Sequence, residues 1–246
     1  MLAPLPLPRV LLVEDDLALQ RFVEMALEEM ATIECCISVD EAIERLERQP
    51  YELVLSDLML PGRHGSELAQ WLHQRPPAAA PTRLVIFSAG LAPDVRQRLQ
   101  ALGVSHFLAK PCSLTDLQDC LAGLGAPVDA APAPQRPAAG PGADGDAEEA
   151  IERHFAGDAA LYRAFRAACV AQFPADIAAG DRACSRHDVQ ALHHLTHSLK
   201  SVLLTLGHEA LSTQARELER LTADARQWAN VLPLWRSLAR SLGELR

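Results

Sequence analysis

Acidic side chains and a lysine stand at the ends of apolar, strand-like runs in the first half of this 246-residue chain. In an open parallel sheet the carboxyl ends of the strands meet at one edge, so such side chains converge. Converging carboxylates repel one another and require a cation, and hard oxygen ligands suit Mg²⁺ with retained waters. A hydroxyl and an ammonium facing the same point supply contacts that a phosphoryl group requires. The residues at these ends are Glu14, Asp15, Asp16, Asp57, Ser88 and Lys110.

Lysine occurs at only two positions, Lys110 and Lys200, whereas arginine holds every other basic position. An ammonium is a compact, mobile charge that can follow a phosphoryl group, while a guanidinium is a broad planar fork. This pattern predicts that each lysine is the cationic member of a separate phosphoryl-handling site.

The second half of the chain places a histidine, His197, three residues before Lys200. Helical spacing over 189–206 predicts one buried apolar face formed by Leu192, Leu195, Leu199, Val202 and Leu206. His197 lies about 200° from Leu195, so we expect it to face solvent, where an imidazole can act as a phosphoryl nucleophile. Its neighbours on that side of the helix are His193, Lys200, Ser201 and Leu204, and a docking face is predicted at His193, Ser201 and Leu204.

The spacing of apolar residues differs between the two halves of the chain. Five strand–helix repeats predict a doubly wound α/β unit with a five-stranded parallel sheet, and the long helical periods that follow predict an all-α antiparallel bundle. An Ala/Pro/Gly-rich stretch between them predicts a linker. The predicted boundaries are a tail at 1–8, the α/β unit at 9–124, the linker at 125–146 and the bundle at 147–246.

Composition narrows the classes of function. The formal net charge is -9, and neither unit carries the basic stripe of a nucleic-acid binder. No apolar run is long enough to span a membrane, and the first residues lack the features of a signal peptide. The six cysteines form no CxxC pair or metal-ligand spacing, which predicts reduced thiols and a cytoplasmic protein.

The first unit resembles a response-regulator receiver domain, a flavodoxin-like fold. The resemblance rests on LLVEDD (11–16), SDLMLPGRHG (56–65), FSAG (87–90) and HFLAKP (106–111). It implies that Asp57 is the phosphoacceptor, that Ser88 and Lys110 contact the phosphoryl group, and that Ser88 and Phe107 are switch residues. It also implies an Mg²⁺ site whose ligands are Glu14, Asp15, Asp57 and the backbone carbonyl of Met59. Asp16 has no certain role in the resemblance.

The second unit resembles a histidine phosphotransfer (HPt) domain through THSLKS–x₅–G at 196–207. The resemblance implies that His197 is the phosphohistidine and that Lys200 supports it. Ser201 departs from the glycine usual at its position, which predicts slightly hindered docking. His193 and His197, four residues apart, are also compatible with a metal site, although a zinc-peptidase motif requires Glu where His194 stands.

Together the two resemblances imply a free-standing phosphorelay protein that passes phosphoryl groups between Asp57, His197 and partner proteins. The implied partners are a sensor histidine kinase or hybrid kinase upstream and another receiver domain downstream, with no nucleic acid and no membrane. The sequence has no GxxxxGK[ST] nucleotide loop, so ATP must be used by another protein. Two alternatives remain open: a phosphorylation-gated binding module, and a phosphate sink with little transfer from His197.

Overall fold

The computed structural model describes residues 6–75, 82–88, 90–123, 147–223 and 228–245. The chain separates into two compact units, and the predicted linker lies outside the described residues. The predicted domain boundaries therefore stay predictions. None of the described helices is both long and apolar enough to cross a membrane.

The first unit alternates strands and helices. A parallel sheet in the order β2-β1-β3-β4-β5 runs through it. This arrangement confirms the predicted α/β class. The elements are β1 (Arg9–Val13), α1 (Leu17–Leu27), β2 (Thr32–Cys36), α2 (Val39–Arg48), β3 (Leu53–Asp57), α3 (Gly65–His73), β4 (Arg83–Ser88), α4 (Pro93–Ala101), β5 (Val104–Ala109) and α5 (Leu114–Ala122).

The sheet places β1 next to β3, and both strands are apolar because helices cover both faces of a parallel sheet. Leu11 and Val13 of β1 and Val54 of β3 belong to one buried core cluster on one face. Asp57 is itself the last residue of β3. Asp57 is therefore held by the backbone ladder itself, paired with Phe87 of β4.

A close approach fixes the chain just after this strand. A Cβ on Gly65 would lie 2.2 Å from the backbone oxygen of Asp57. Only glycine therefore allows α3 to begin against the end of β3. The Gly65 amide donates to the Leu58 carbonyl at 2.9 Å, and the His64 side chain accepts from the Ser66 amide at the N-cap of the helix.

The second unit is helical, as predicted. Its elements are α6 (Ala147–Phe155), α7 (Ala159–Arg186), α8 (Val189–Thr205), α9 (Glu209–Thr222) and α10 (Trp228–Glu244). Helix α8 packs against α7 and α9, and α10 packs against the same two helices, so these four helices form a bundle. Helix α7 continues through Pro174.

One glycine in the bundle is required by packing. A Cβ on Gly180 of α7 would lie 1.9 Å from Cζ2 of Trp235 on α10. The Trp235 ring is fully buried, and its Nε1 donates to Oδ1 of Asp181 at 2.9 Å. The indole therefore fills the space that a side chain at position 180 would take.

We expect Gly180→Ala to destabilise the bundle by about 1–3 kcal/mol, the usual cost of overpacking. Gly243→Ala is the matched control, because its Cβ would meet only Cδ1 of Ile177 at an ordinary 4.0 Å. Removing a helical glycine there should stabilise by about 0.5–1 kcal/mol. Urea unfolding of the full chain, followed by Trp fluorescence and circular dichroism, measures both. Equal stability of the two variants would contradict the packing argument.

Candidate functional sites

Three carboxylates meet at the carboxyl ends of β1 and β3. Glu14 and Asp15 follow β1, and Asp57 is the last residue of β3. One carboxylate oxygen from each lies within 4.8 Å of the others. Glu14 is 1% exposed and Asp57 2% exposed, so water screens their charges little. The set consists of hard oxygen donors, which fits a small divalent cation.

The ammonium of Lys110 lies among these carboxylates. Its Nζ donates to Oε2 of Glu14 at 2.5 Å and to Oδ2 of Asp57 at 2.8 Å. The Lys110 side chain is 5% exposed, and the backbone amide of Lys110 donates to the Ser88 carbonyl at 2.8 Å. The extension of the β4–β5 pairing thus aims the lysine at the end of β3.

Burial and neighbouring charges shift the pKa values in this cluster. Burial raises the pKa of Glu14 well above its usual value, Lys110 opposes this, and Asp57 reinforces it. Burial works to lower the pKa of Lys110, but the carboxylates of Asp57 and Glu14 raise that pKa above its usual value. The ammonium therefore stays protonated, and its positive charge is what makes the buried carboxylates tolerable.

The other predicted residues of this site lie at the same edge. The Met59 amide donates to Oδ1 of Asp57 at 3.1 Å, which orients the carboxylate. The Ser88 hydroxyl donates to the Gly90 carbonyl at 3.0 Å. Phe107 is buried at 7% exposure, with the Arg96 guanidinium 4.6 Å from the centre of its ring.

The structure assigns Asp16 a role that the sequence left open. Its Oδ1 accepts from the amides of Ala18 and Leu19 at 2.9 and 3.0 Å, which makes Asp16 the N-cap of α1. Two adjacent aspartates therefore have different tasks, since Asp15 belongs to the carboxylate cluster and Asp16 begins the helix.

A second polar cluster joins α8 to α9. The Nδ1 of His197 lies 2.5 Å from Oε1 of Glu219, and the Nζ of Lys200 donates to Oε2 of Glu219 at 2.7 Å. One carboxylate therefore bridges the two residues that the sequence singled out. A proton on Nδ1 shared with Glu219 leaves Nε2 with a lone pair, which is the form that can attack phosphorus.

The predicted solvent-facing position of His197 is wrong. His197 is 8% exposed because α8 packs on two sides, against α7 and against α9. The apolar spacing of α8 predicts a single buried face, and the contact of its polar side with α9 is the second. The other predicted face residues are mostly correct: Leu192, Leu199, Val202 and Leu206 are buried, while Leu195 is only partly buried.

The predicted docking face is likewise more enclosed than expected. Ser201 is buried, and His193 and Leu204 are partly buried. The Nδ1 of His193 lies 3.1 Å from the Glu219 carbonyl and 3.0 Å from Oγ1 of Thr222. The Lys200 side chain, expected on an open surface, is 12% exposed. The polar side of α8 therefore packs largely against α9 and is not open to solvent.

The sequence reasoning missed Glu219. Burial works to raise the pKa of Glu219, but hydrogen bonds from His197 and Lys200 lower it to about 2. The only sequence signal was an acid at a partly buried position in a helix next to the histidine helix, and that pairing is not visible without the packing. Glu219 is ionised at neutral pH and holds the imidazole in one orientation.

Family models match both units of the chain. The family model for the response regulator receiver domain matches residues 10–122, and that for the Hpt domain matches residues 164–246. The chain therefore contains a receiver domain at residues 10–122, followed by an Hpt domain at residues 164–246. The first match contains Glu14, Asp57 and Lys110, and the second contains His197, Lys200 and Glu219.

Curated relatives match the receiver domain. The signal transduction histidine-protein kinase BarA of Escherichia coli (strain K12) is 29% identical over 46% of this chain and 12% of its own length. The sensory/regulatory protein RpfC of Xanthomonas campestris pv. campestris is 29% identical over 46% of this chain and 16% of its length. The phosphate regulon transcriptional regulatory protein PhoB of Rhizobium meliloti is 33% identical over 45% of this chain and 49% of its own length. The chain thus spans half or less of these relatives.

Solved structures also match at the receiver domain. The signal receiver domain of a putative Luxo repressor protein from Vibrio parahaemolyticus is 30% identical, with a TM-score of 0.44, over 48% of this chain and 89% of that one. The chemotaxis response regulator CheY4 of Vibrio cholerae is 20% identical, with a TM-score of 0.43, over 48% of this chain and 98% of that one.

The bridge in the Hpt domain predicts a pH dependence. A carboxyl whose pKa falls on folding stabilises the protein above its unfolded pKa, near 4.5 here, and this contribution disappears as the pH falls to about 2. We therefore expect wild type to exceed Glu219→Gln in stability by about 1–3 kcal/mol at pH 6, with a much smaller difference at pH 3. Urea unfolding at both pH values measures this.

Glu217→Gln provides the control, because the Glu217 side chain, on the same helix, is 45% exposed and pairs only with Arg220 among the contacts that the structure describes for it. Solvent screens such a pair, so its loss should change stability little at either pH. A gap between wild type and Glu219→Gln that stays constant from pH 6 to pH 3 would contradict the bridge.

Proposed function

We propose that this protein is a two-component phosphorelay protein in which Asp57 and His197 carry phosphoryl groups in turn. A histidine kinase or hybrid kinase supplies the phosphoryl group, and a further receiver domain accepts it. The observation that carries the proposal is that one chain holds both a buried carboxylate paired with an ammonium and an imidazole whose Nδ1 is held by a carboxylate. The relatives named as kinases and regulators support the same class of pathway.

At the receiver site, Asp57 is the nucleophile. An oxygen of its carboxylate forms a P–O bond while the P–N bond of a donor phosphohistidine breaks, and the imidazole leaves with the electron pair. Lys110, already 2.8 Å from Asp57, then follows the added negative charge as an ion-pair partner. The Ser88 hydroxyl exchanges its bond to the Gly90 carbonyl for a phosphoryl oxygen.

We infer that Mg²⁺ binds beside Asp57, since the carboxylate cluster consists of hard oxygen donors in close reach. Its ligands would be Glu14, Asp15, Asp57 and the carbonyl of Met59. When bound, the ion neutralises charge on the phosphoryl oxygens.

At the Hpt site, Nε2 of His197 forms a P–N bond while the P–O bond of an aspartyl phosphate breaks and the aspartate leaves with the electron pair. The proton on Nδ1 stays in the hydrogen bond to Glu219, whose negative charge offsets the positive charge that the ring acquires. Lys200 is tethered by the same carboxylate at 2.7 Å, so its ammonium is available to the transferring group.

A second candidate function has one observation in its favour. The Nε2 atom of His197 is buried in this structure, which agrees with a phosphorylation-gated binding module or phosphate sink in which His197 transfers little. Transfer from phosphorylated His197 to a second receiver domain separates the two: the relay requires it, and the binding module does not.

The proposed function is tested by labelling each site. Acetyl phosphate with Mg²⁺ should give an acid-stable aspartyl phosphate on wild type and none on Asp57→Asn. A phosphorylated partner receiver should give an acid-labile phosphohistidine on wild type and none on His197→Gln. Asp119→Asn and His187→Gln, at positions outside both sites, are controls that should label normally. Label that persists in Asp57→Asn or His197→Gln would assign the chemistry to other residues.

Mg²⁺ binding has its own test in the two adjacent aspartates. We expect Asp15→Asn to weaken Mg²⁺ binding at least about tenfold, because a charged ligand is lost. Asp16→Asn should bind nearly as wild type, since an asparagine side chain also caps a helix. Isothermal titration with MgCl₂ measures both constants. Equal weakening in the two variants would show that the separation of roles between Asp15 and Asp16 is wrong.

A further inference from the structure

Two buried polar atoms of the Hpt domain lie one helical turn apart on α8. Nε2 of His197 and Oγ of Ser201 are both shielded from solvent, and neither has a hydrogen-bond partner among the residues that the structure describes. His197 is 8% exposed and Ser201 7% exposed. Side chains four residues apart on a helix have Cβ atoms about 5–6 Å from each other, so the two side chains are neighbours on one face of α8.

The lack of a partner is unusual for a hydroxyl in this helix. A buried serine or threonine in a helix ordinarily donates to the carbonyl four residues earlier. Thr196 does so to Leu192 at 2.9 Å, and Thr205 does so to the Ser201 carbonyl at 2.9 Å. Ser201 does not, although a buried unpaired hydroxyl costs about 1–3 kcal/mol. The resting domain therefore keeps a donor unused beside the nitrogen that receives phosphorus.

We propose that the Ser201 hydroxyl is a catalytic hydrogen-bond donor to the phosphoryl group on His197. This inference rests on the proposed function and deepens it. As the P–N bond to Nε2 forms and the aspartyl P–O bond breaks, negative charge stays on the three phosphoryl oxygens. The Oγ–H of Ser201 then donates to one of them and gains the partner that it lacks at rest. A preorganised donor of this kind lowers the barrier, because it needs no reorganisation as the charge arrives.

Three side chains near His197 have different roles in the proposed transfer. Glu219 holds Nδ1 of the ring from the α9 side, the Lys200 ammonium donates to the same carboxylate, and Ser201 supplies a neutral donor one helical turn from His197 on α8. Because Nε2 is covered at rest, docking of the partner has to uncover it. The hydroxyl then takes part in both the loaded state and the transfer step.

A steric interpretation of Ser201 makes the opposite prediction. If its small size alone matters, in letting a partner approach, then Ser201→Gly should accelerate phosphorylation and Ser201→Ala should match wild type. If the hydroxyl matters, both variants lose it and both should be slow. The sign of the glycine effect therefore separates the two interpretations.

The test uses the full chain carrying Asp57→Asn, so that only the Hpt domain is labelled, with a phosphorylated partner receiver domain as donor. We expect Ser201→Ala and Ser201→Gly each to slow His197 phosphorylation roughly tenfold or more. The ³¹P NMR resonance of the phosphohistidine should also shift in both variants, since a hydrogen bond to the phosphoryl group is absent. Ser198→Ala, which removes a hydroxyl beside His197 on the same helix, should match wild type in rate and resonance. Circular dichroism and urea unfolding establish that each variant is folded.

Each outcome decides the matter. Wild-type rates and an unmoved resonance in Ser201→Ala would overturn the role of the hydroxyl while leaving the proposed function intact. Acceleration in Ser201→Gly with an unchanged Ser201→Ala would establish the steric interpretation instead. Label that does not depend on His197, shown by His197→Gln, would overturn the proposed function, and the inference about Ser201 with it.

Discussion

The ammonium of Lys110 compensates two buried carboxylates, and the geometry of the receiver site depends on that contact. Glu14 and Asp57 are almost fully buried, and removing charged groups from water is costly unless an opposite charge lies close by. Lys110 reaches both because β5 ends beside β4 and β4 ends beside β3. The strand order therefore brings the cation to the point where the proposed phosphoryl group would bind.

The Hpt domain uses the same electrostatic arrangement with the charges reversed. There one carboxylate, Glu219, lies between the imidazole of His197 and the ammonium of Lys200. The depressed pKa of Glu219 shows how strongly the two donors favour its ionised form. In the proposed relay, the receiver domain holds a cation where the phosphoryl anion would bind, whereas the Hpt domain holds an anion that would orient the imidazole nucleophile and offset the positive charge of the phosphorylated ring.

The candidate sites were predictable to different degrees. In the receiver domain Glu14, Asp57 and Lys110 each follow or end a strand. Parallel strands bring their carboxyl ends together whatever the details of packing, so these three residues meet as expected. In the Hpt domain His197 and Lys200 share one helix, so their spacing was visible too. The burial of His197 could not be predicted, because helical periodicity shows which face is apolar but does not show a second, polar contact with another helix.

The sequence by itself determined the fold class of both units, the identity of the carboxylate cluster and the histidine–lysine pair, because these depend on local periodicity and on strand ends. Only the tertiary structure decided which residues from other parts of the fold contact these groups. Glu219 reaches His197 across 22 positions, and Asp16 caps a helix while Asp15 joins the cluster. Likewise, the unpaired hydroxyl of Ser201 follows from how α8 is enclosed. Such pairings depend on the distance and angle between packed elements, which no spacing along one element records.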